Sequence, residues 1–238
     1  MRMKIIDKIK YVKSRIPNIP KSIVFNFYYL PLKEAVHFPI YVGSNIKIAN
    51  LGDRNSIQVE KCKRGTICIG MSKGAHGIAS SRGYWDIAKD TKIIFKGSCN
   101  IAAGGKIVVK PKGKLIFGDG CSFNANSLIV VKKGITFGDD CMASWNTSFL
   151  DDDGHKIIDL NSEKEVNLPC EIAIGNHVWI GEGVQVLKGA HINDNSVVAA
   201  GAMVFQTNER CGTNIVLAGI PAKVIKENIN WSRDAYDI

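Results

Sequence analysis

A histidine stands directly behind a run of carboxylates in the middle of the chain. His155 follows Asp151, Asp152, Asp153 and Gly154. Imidazole is well suited to moving protons near neutral pH, because its ordinary pKa of about 6.5 leaves it mostly neutral yet basic. A neighbouring carboxylate could orient the ring or raise its basicity. His155 is therefore a candidate general base, and a structural role stays open on these residues alone.

The four other histidines are weaker candidates for a catalytic role. His177 and His191 occupy corners of a repeat, where a structural role is expected, and His37 has no chemical neighbours. His76, in the glycine-rich stretch 70–86, stays an outside candidate. No three histidines have ligand spacing and the seven cysteines contain no CxxC pair, so we predict no metal site. The odd cysteine count indicates reduced thiols in a cytoplasmic protein.

The element that must position His155 shows a six-residue period. Aliphatic side chains recur without a slip at Ile174, Ile180, Val186, Ile192, Val198 and Val204. Small or β-branched residues follow four positions later at Val178, Val184, Ala190, Ser196 and Ala202. Helices repeat every 3.6 residues and strands every two, whereas a period of six is typical of a β-solenoid with three short strands per 18-residue turn. At its corners, Gly175, Gly181 and Asn193 are expected to adopt unusual backbone angles.

Earlier coils follow the same pattern with longer turns. Phe95, Phe117 and Phe137 begin comparable segments, and they lie 22 and 20 residues apart. The extra residues fall at 110–114 and 132–134, and KGKLIFGDGCSF nearly repeats as KKGITFGDDCMA. The pattern therefore predicts one continuous solenoid, interrupted by a polar loop that carries His155.

We divide the chain into a basic N-terminal helix and capping segment (1–36), a β-helix (37–208) with an inserted loop (150–171), and a C-terminal helix and tail (209–238). The apolar spacing of residues 1–14 predicts an amphipathic helix. Residues 23–32 are aromatic-rich and are expected to be extended and to cap the first coil. Pro221 is expected to begin a short helix, and Trp231 to pack back on the coil.

The charge of the 238-residue chain is concentrated at its start. Residues 1–36 contain eight basic and two acidic side chains, which gives +6 of the total +9. This segment could lie on an anionic membrane surface, or it could be a solvated helix packed on a coil. No window is apolar enough to span a bilayer, and no secretory signal is recognisable. We expect no nucleic-acid partner.

Two segments carry a resemblance to a known family. The run SWNTSFLDDDGHKI, followed by IGNHVWIG, resembles polysaccharide and sugar O-acetyltransferases among the hexapeptide-repeat acyltransferases. The similarity covers about residues 20–231. It implies an all-β, left-handed parallel β-helix, acetyl-coenzyme A as acyl donor, and a homotrimer with active sites between subunits. It also implies that His155 is the catalytic base.

The resemblance assigns further residues by position. Asn124, with Asn126 as its alternative, and Asp153 would bind the acceptor, and Trp179 would border the groove between acceptor and coenzyme. Ala200, Gln206, Lys223 and Lys226 would contact the coenzyme. One departure is that Phe205-Gln206 replaces the family's Thr-Lys pair, so a phosphate contact is missing or is replaced, with Arg210 as a candidate.

The implied function is acetyl-coenzyme A-dependent O-acetylation of a sugar hydroxyl in a capsule, O-antigen or similar surface glycan. The location would be cytoplasmic and could be at the inner membrane surface. Two alternatives remain open: N-acetylation of an amino sugar nucleotide, and a non-catalytic β-solenoid that binds carbohydrate.

Overall fold

Up to residue 204, each strand pairs in parallel with the strand three places away in the chain. Three parallel sheets therefore wind around one core. A computed structural model describes residues 15–71, 82–206 and 212–234. The pairs Trp179↔Val197 and Gln185↔Met203 confirm the 18-residue turn. The pairs Phe95↔Phe117 and Phe117↔Phe137 confirm the predicted offsets of 22 and 20 residues.

The described strands fall into three sheets, here named A, B and C. Sheet A contains β1 (Ile40–Val42), β4 (Ile67–Met71), β7 (Cys99–Ala102), β10 (Cys121–Phe123), β13 (Met142–Ala143), β16 (Trp179–Ile180), β19 (Val197–Val198), β21 (Val216–Ala218) and β22 (Lys223–Lys226). Sheet B contains β2 (Ile46–Asn50), β5 (Gly83–Ile87), β8 (Lys106–Val109), β11 (Leu128–Val131), β14 (Ser148–Leu150), β17 (Gln185–Leu187) and β20 (Met203–Val204). Sheet C contains β3 (Ile57–Val59), β6 (Lys92–Phe95), β9 (Lys114–Phe117), β12 (Gly134–Phe137), β15 (Ile172–Ile174) and β18 (His191–Ile192).

The core is a column of stacked side chains between the three sheets. All six aliphatic residues of the period from 174 to 204 are buried, as are the small residues between them. In the preceding coils the ring centroids of Phe95 and Phe117 lie 5.0 Å apart, and those of Phe117 and Phe137 lie 5.5 Å apart. Both pairs are nearly parallel, so each coil stacks its aromatic residue on the one before it.

The glycines at the corners serve a different purpose from the predicted one. Positive φ angles occur at Gly183, Gly189 and Gly201, whereas none of the three predicted residues, Gly175, Gly181 and Asn193, has one. A Cβ at Gly181 would lie 2.6 Å from the backbone nitrogen of Ala200. The expectation of unusual backbone angles at Gly175 and Gly181 was therefore wrong, because close stacking of successive coils excludes a side chain there.

The N-terminal cap is helical, so the prediction of an extended segment over residues 23–32 was wrong. Helix α1 (Ile19–Tyr29) begins where the Asn18 side chain accepts a 3.0 Å hydrogen bond from the backbone N–H of Lys21, and α2 (Leu32–Ala35) follows. The capping role itself is confirmed. The Asn26 side chain donates to the carbonyl of Ile40 (2.7 Å), and Phe25 is fully buried on the first coil.

The predicted helix at residues 1–14 lies outside the described residues, as do His76 and Arg210. None of the described helices is long and apolar enough to span a membrane. The boundaries at residues 36 and 208 remain predictions.

The prediction of a C-terminal helix after Pro221 was wrong. Residues Lys223–Lys226 form β22, which pairs antiparallel with β21. An exposed sheet edge with unpaired backbone groups favours such a strand over a short isolated helix.

The C-terminal tail then crosses sheet A, and Trp231 packs back as predicted. Its ring stacks on the His177 imidazole with centroids 4.2 Å apart, and the His177 ring also contacts Asp140 (2.6 Å). Arg233 binds the same carboxylate (2.6 Å). Partial burial by itself would raise the pKa of the Asp140 carboxyl. The contacts with His177 and Arg233 outweigh burial, so the pKa lies below its ordinary value. The predicted structural role of His177 is thus confirmed.

Candidate active site

The inserted loop leaves the solenoid after β14 and returns at β15, as predicted. Its first residue, Asp151, is fully buried and accepts hydrogen bonds from three backbone N–H groups of the preceding coil. The donors are Lys132 (2.6 Å), Lys133 (2.8 Å) and Gly134 (2.7 Å). Burial raises the pKa of the Asp151 carboxyl, although these donors oppose the effect. Asp151 therefore fixes the base of the loop.

The next two carboxylates tie the loop to neighbouring coils. Asp152 forms an ion pair with Lys110 (2.7 Å). Asp153 accepts hydrogen bonds from Lys188 and from the Asn167 amide (2.8 Å), and the Lys188 ammonium holds the pKa of Asp153 below its ordinary range. The Asn167 amide also donates to the backbone carbonyl of His155 (2.8 Å).

His155 is thus held by its backbone while its side chain projects into solvent. The imidazole borders a cleft of about 250 Å³, which Lys110, Lys132 and Glu165 also line. Within the described residues of one chain, the ring has no hydrogen-bond partner. The idea that an adjacent aspartate orients the ring is therefore not supported, because all three aspartates are engaged elsewhere.

A second group of predicted residues lies where the chain passes from sheet A to sheet B. We call this the AB edge; from β10 onward its turns are residues 124–127, 144–147, 181–184 and 199–202. Asn124 and Ala200 stand on these turns, and Trp179 lies just before one of them. The Trp179 indole N–H donates to the Ser144 hydroxyl (3.2 Å), and its side chain is 37% exposed.

Trp179 also borders a larger cleft, of about 620 Å³, on the outer face of sheet A. The C-terminal tail forms its opposite wall through Trp231, and Lys226 lines it. Lys223, at the other end of β22, is exposed and is not part of this lining. An indole pair with a nearby ammonium suits a ligand that has both flat and anionic parts.

The predicted residues are divided between two edges of sheet B. His155, Asp153 and Gln206 lie where the chain passes from sheet B to sheet C, which we call the BC edge. From β8 onward its turns are residues 110–113, 132–133, 151–171 and 188–190, and Gln206 follows β20 on the same edge. Asn124 and Ala200 lie on the AB edge. The four-residue strand β11 separates the two edges by about 13 Å. A single chain therefore does not bring the predicted base and acceptor residues together.

Sequence reasoning missed the residues that hold the loop. Lys188 occupies an ordinary position of the six-residue repeat, and Asn167 lies in a polar stretch without periodicity. Only the fold shows that both converge on Asp153. The loop's own length and its three aspartates were the available signal.

Comparisons with known proteins bear on this fold. Residues 172–206 match a family model described as bacterial transferase hexapeptide, six repeats. We call residues 172–206 the hexapeptide segment. The hexapeptide segment begins directly after the loop that carries His155 and includes Trp179 and Ala200. The resemblance to hexapeptide-repeat acyltransferases is therefore confirmed.

Curated relatives extend the similarity beyond the hexapeptide segment. A polysialic acid O-acetyltransferase of Escherichia coli O1:K1 / APEC is 33% identical over 131 residues, which cover 54% of this chain and 41% of the relative. One of Neisseria meningitidis is 37% identical over 113 residues, covering 48% and 52%. The chain thus spans about half the length, or less, of these two relatives. A Klebsiella pneumoniae protein of the cps region is 28% identical and is covered over 97% of its length.

A crystal structure of a polySia-specific acetyltransferase superposes on this chain with a TM-score of 0.50. The two share 21% identity, and the match covers 83% of this chain and 85% of the other. At this identity the likeness concerns the fold alone. With the hexapeptide segment and the parallel sheets, it confirms the predicted all-β, left-handed parallel β-helix.

Proposed function

We propose that this protein transfers the acetyl group of acetyl-coenzyme A to a sugar hydroxyl of a surface glycan, with His155 as general base. The observation that carries the proposal is the His155 imidazole, which is exposed in a cleft on a loop fixed through Asp151, Asp152 and Asp153. A ring without an internal partner is available to a substrate proton. The acetyltransferase names of the relatives support the same reaction.

The reaction requires one proton to move twice. The neutral imidazole of His155 takes the proton of the acceptor hydroxyl as the sugar oxygen attacks the thioester carbonyl carbon. The resulting tetrahedral intermediate collapses by breaking the carbon–sulfur bond. The imidazolium returns the proton to the leaving sulfur, which gives an O-acetyl sugar, free coenzyme A and neutral His155.

The AB edge supplies the proposed contacts to both substrates. Asn124 would hold the acceptor, and Trp179 would border the groove beside acceptor and coenzyme. The small side chain of Ala200 would let the pantetheine arm reach backbone amides. Lys226 would meet phosphates, and its place in the cleft beside Trp179 supports this assignment. Lys223, Gln206 and Asp153 remain proposed contacts, the last with its carboxylate already engaged.

We further propose that the active site forms between chains of a homotrimer. Because the AB and BC edges of one chain lie on opposite sides of sheet B, the loop with His155 would reach the AB edge of a neighbour. The exposed apolar side chains of the loop support such packing: Ile157, Ile158, Leu160, Val166 and Leu168. Closed rotational symmetry would give every chain the same neighbour.

Two other functions fit parts of the structure. An N-acetyltransferase on an amino sugar nucleotide would use the same base and coenzyme, and competition between hydroxyl and amine acceptors separates it from the O-acetyltransferase. A non-catalytic solenoid that binds carbohydrate would neither bind coenzyme A nor depend on His155. The His155 imidazole favours the enzyme, because it is exposed and forms no hydrogen bond with the part of the chain that the structure describes.

The direct test of the function is His155→Ala. We expect a loss of acetyl transfer of about a hundredfold or more, the usual scale for removing a general base, with unchanged thermal unfolding. His37→Ala is the matched control, because it removes another exposed histidine away from the loop. Transfer by His155→Ala at the rate of the unsubstituted protein would exclude His155 as the base.

We propose a cytoplasmic location and contact with an anionic membrane through the N-terminal cap. The six described cysteines are free, which agrees with a reducing compartment. The cap exposes a row of apolar side chains: Ile16, Ile19, Ile23, Val24, Phe27, Leu32 and Val36. This row accompanies the +6 charge of residues 1–36. Apolar area beside basic charge suits an anionic bilayer surface.

Vesicle sedimentation tests the membrane contact. We expect binding to vesicles with phosphatidylglycerol and little binding to pure phosphatidylcholine, and loss of binding in Ile23→Glu/Phe27→Glu. Leu160→Glu/Val166→Glu is the control, since it removes apolar groups of the loop that are even more exposed. Equal loss in both double variants, or no preference for anionic lipid, would contradict this contact.

A further inference from the structure

A polar cleft of about 590 Å³ lies on the BC edge, toward the N-terminus from His155. Lys92, Lys112 and Lys114 line it, and none of the three ammonium groups has an ion-pair partner among the described residues. Asp90 is the one acidic side chain of this lining. The cleft therefore carries a net positive charge that nothing in the described chain neutralises.

A buried hydroxyl in the same cleft lacks a partner in the described part of the chain. Ser56 lines the cleft and is only 7% exposed, and its Oγ atom forms no hydrogen bond with any described residue. A buried polar atom without a partner costs about 1–3 kcal/mol, so such atoms normally find one. The Asn55 and Gln58 side chains border the same space. Together they offer donors and acceptors of the kind that bind sugar hydroxyls.

The lysines are arranged along the solenoid. Lys92 and Lys114 are paired residues of β6 and β9, so their backbones lie about 4.8 Å apart, and Lys112 stands on the turn before β9. The lining contains no aromatic side chain on which a base could stack, which disfavours single-stranded nucleic acid. Hydroxyl, amide and ammonium groups without aromatic walls suit an anionic saccharide.

One turn of the chain, residues 110–113, contributes to both this cleft and the cleft of the candidate active site. Lys112 belongs to the same turn as Lys110, which forms the ion pair with Asp152 beside His155. This turn and the loop of His155 are two coils apart on one edge, which corresponds to about 10 Å. A short oligosaccharide could therefore occupy the cleft and reach His155 with a neighbouring sugar.

We propose that this cleft binds an anionic segment of the acceptor glycan next to the sugar that is acetylated. The inference rests on the proposed function and adds the class of substrate, a glycan that carries negative groups. Lys92, Lys112 and Lys114 bind those groups, and Ser56 with its neighbouring amides binds hydroxyls. Binding here selects the polymer and positions it along the BC edge.

Titration with a galacturonic acid hexamer, without coenzyme, tests the site. We expect the unsubstituted protein to bind it at least about tenfold more tightly than neutral maltohexaose, with affinity falling as salt rises. Lys112→Glu/Lys114→Glu should weaken binding about tenfold or more. Ser56→Ala, which leaves all charges in place, should weaken it about threefold.

The controls separate this site from general charge and from catalysis. Lys63→Glu/Lys96→Glu changes the same charge at exposed positions outside the cleft and should alter binding less than about twofold. His155→Ala should bind the hexamer normally even when it transfers no acetyl group. The proposal is overturned if both double variants lose affinity equally, or if the neutral sugar binds as tightly as the charged one.

Discussion

The two long edges of sheet B are built in contrasting ways. At the AB edge, the turns 124–127, 144–147, 181–184 and 199–202 each contain four residues. At the BC edge, the turns 110–113, 132–133, 151–171 and 188–190 contain between two and 21 residues. Over the coils that carry the candidate site, from β10 onward, the AB edge is therefore regular and the BC edge accommodates insertions; nearer the N-terminus the AB edge also has a long connection, residues 72–82 between β4 and β5.

The two edges therefore have different structural roles. The regular edge requires close coil stacking, as Gly181 shows, and it presents Asn124 and Ala200 in fixed register. The BC edge, whose turns vary in length, carries the loop with His155 and the cleft lined by Lys92, Lys112 and Lys114. Groups from several coils hold the loop in place. Loops of variable length on a rigid scaffold are where function usually resides.

The largest effect on stability is expected at the base of the variable edge. Asp151→Ala would leave the N–H groups of Lys132, Lys133 and Gly134 without their acceptor, at about 1–3 kcal/mol each, so we expect a loss of at least about 3 kcal/mol. Urea unfolding measures this free energy.

The control for Asp151 is another aspartate that binds backbone. Asp119→Ala removes a partly exposed carboxylate that accepts from the Ser98 N–H (2.7 Å), where water can replace it. Its cost should be far smaller. Equal losses of unfolding free energy in the two variants would show that Asp151 does not anchor the loop.

A pair of glycines compares the edges directly. Gly181→Ala at the AB edge would place a Cβ 2.6 Å from the Ala200 nitrogen and 2.8 Å from the Val198 carbonyl oxygen, so we expect a cost of about 2–3 kcal/mol. Gly154→Ala at the BC edge meets nothing within 4 Å and adds only the strain of φ +78, about 1 kcal/mol. Equilibrium unfolding of both variants checks the order, and a reversed order would contradict the contrast between the edges.

The regular part of the fold was predictable because it follows from one period. Inward residues six positions apart identified the core, the spacing of Phe95, Phe117 and Phe137 identified the register, and the break at 150–171 identified the loop. Each prediction needed only the rule that equivalent residues stack on successive coils.

The two ends were mispredicted because local signals competed there. Residues 23–32 are rich in aromatics that favour strands, yet the Asn18 cap and burial of Phe25 and Tyr29 on one helical face favour α1. After Pro221 the local signal indicated a helix, but the open edge of β21 provided a hydrogen-bonding partner for a strand. Tertiary context decided the second case.

The candidate site was predictable in its residues but not in its arrangement. His155 could be identified by its polar surroundings and its place in an insertion. The division of His155 and Ala200 between two edges, and the engagement of Asp153 by Lys188, depend on which coil faces which. One sequence does not contain that information in any local pattern.

Complementation between inactive chains tests most directly whether the two edges combine across subunits. His155→Ala disables the BC edge, and Ala200→Trp fills the groove at the AB edge. Co-expressed in equal amounts, the two should regain about a quarter of the unsubstituted activity, because random assembly in a cyclic trimer pairs the two intact edges at about one site in four. Activity no higher than the average of the separate variants, or full activity of Ala200→Trp alone, would contradict the account.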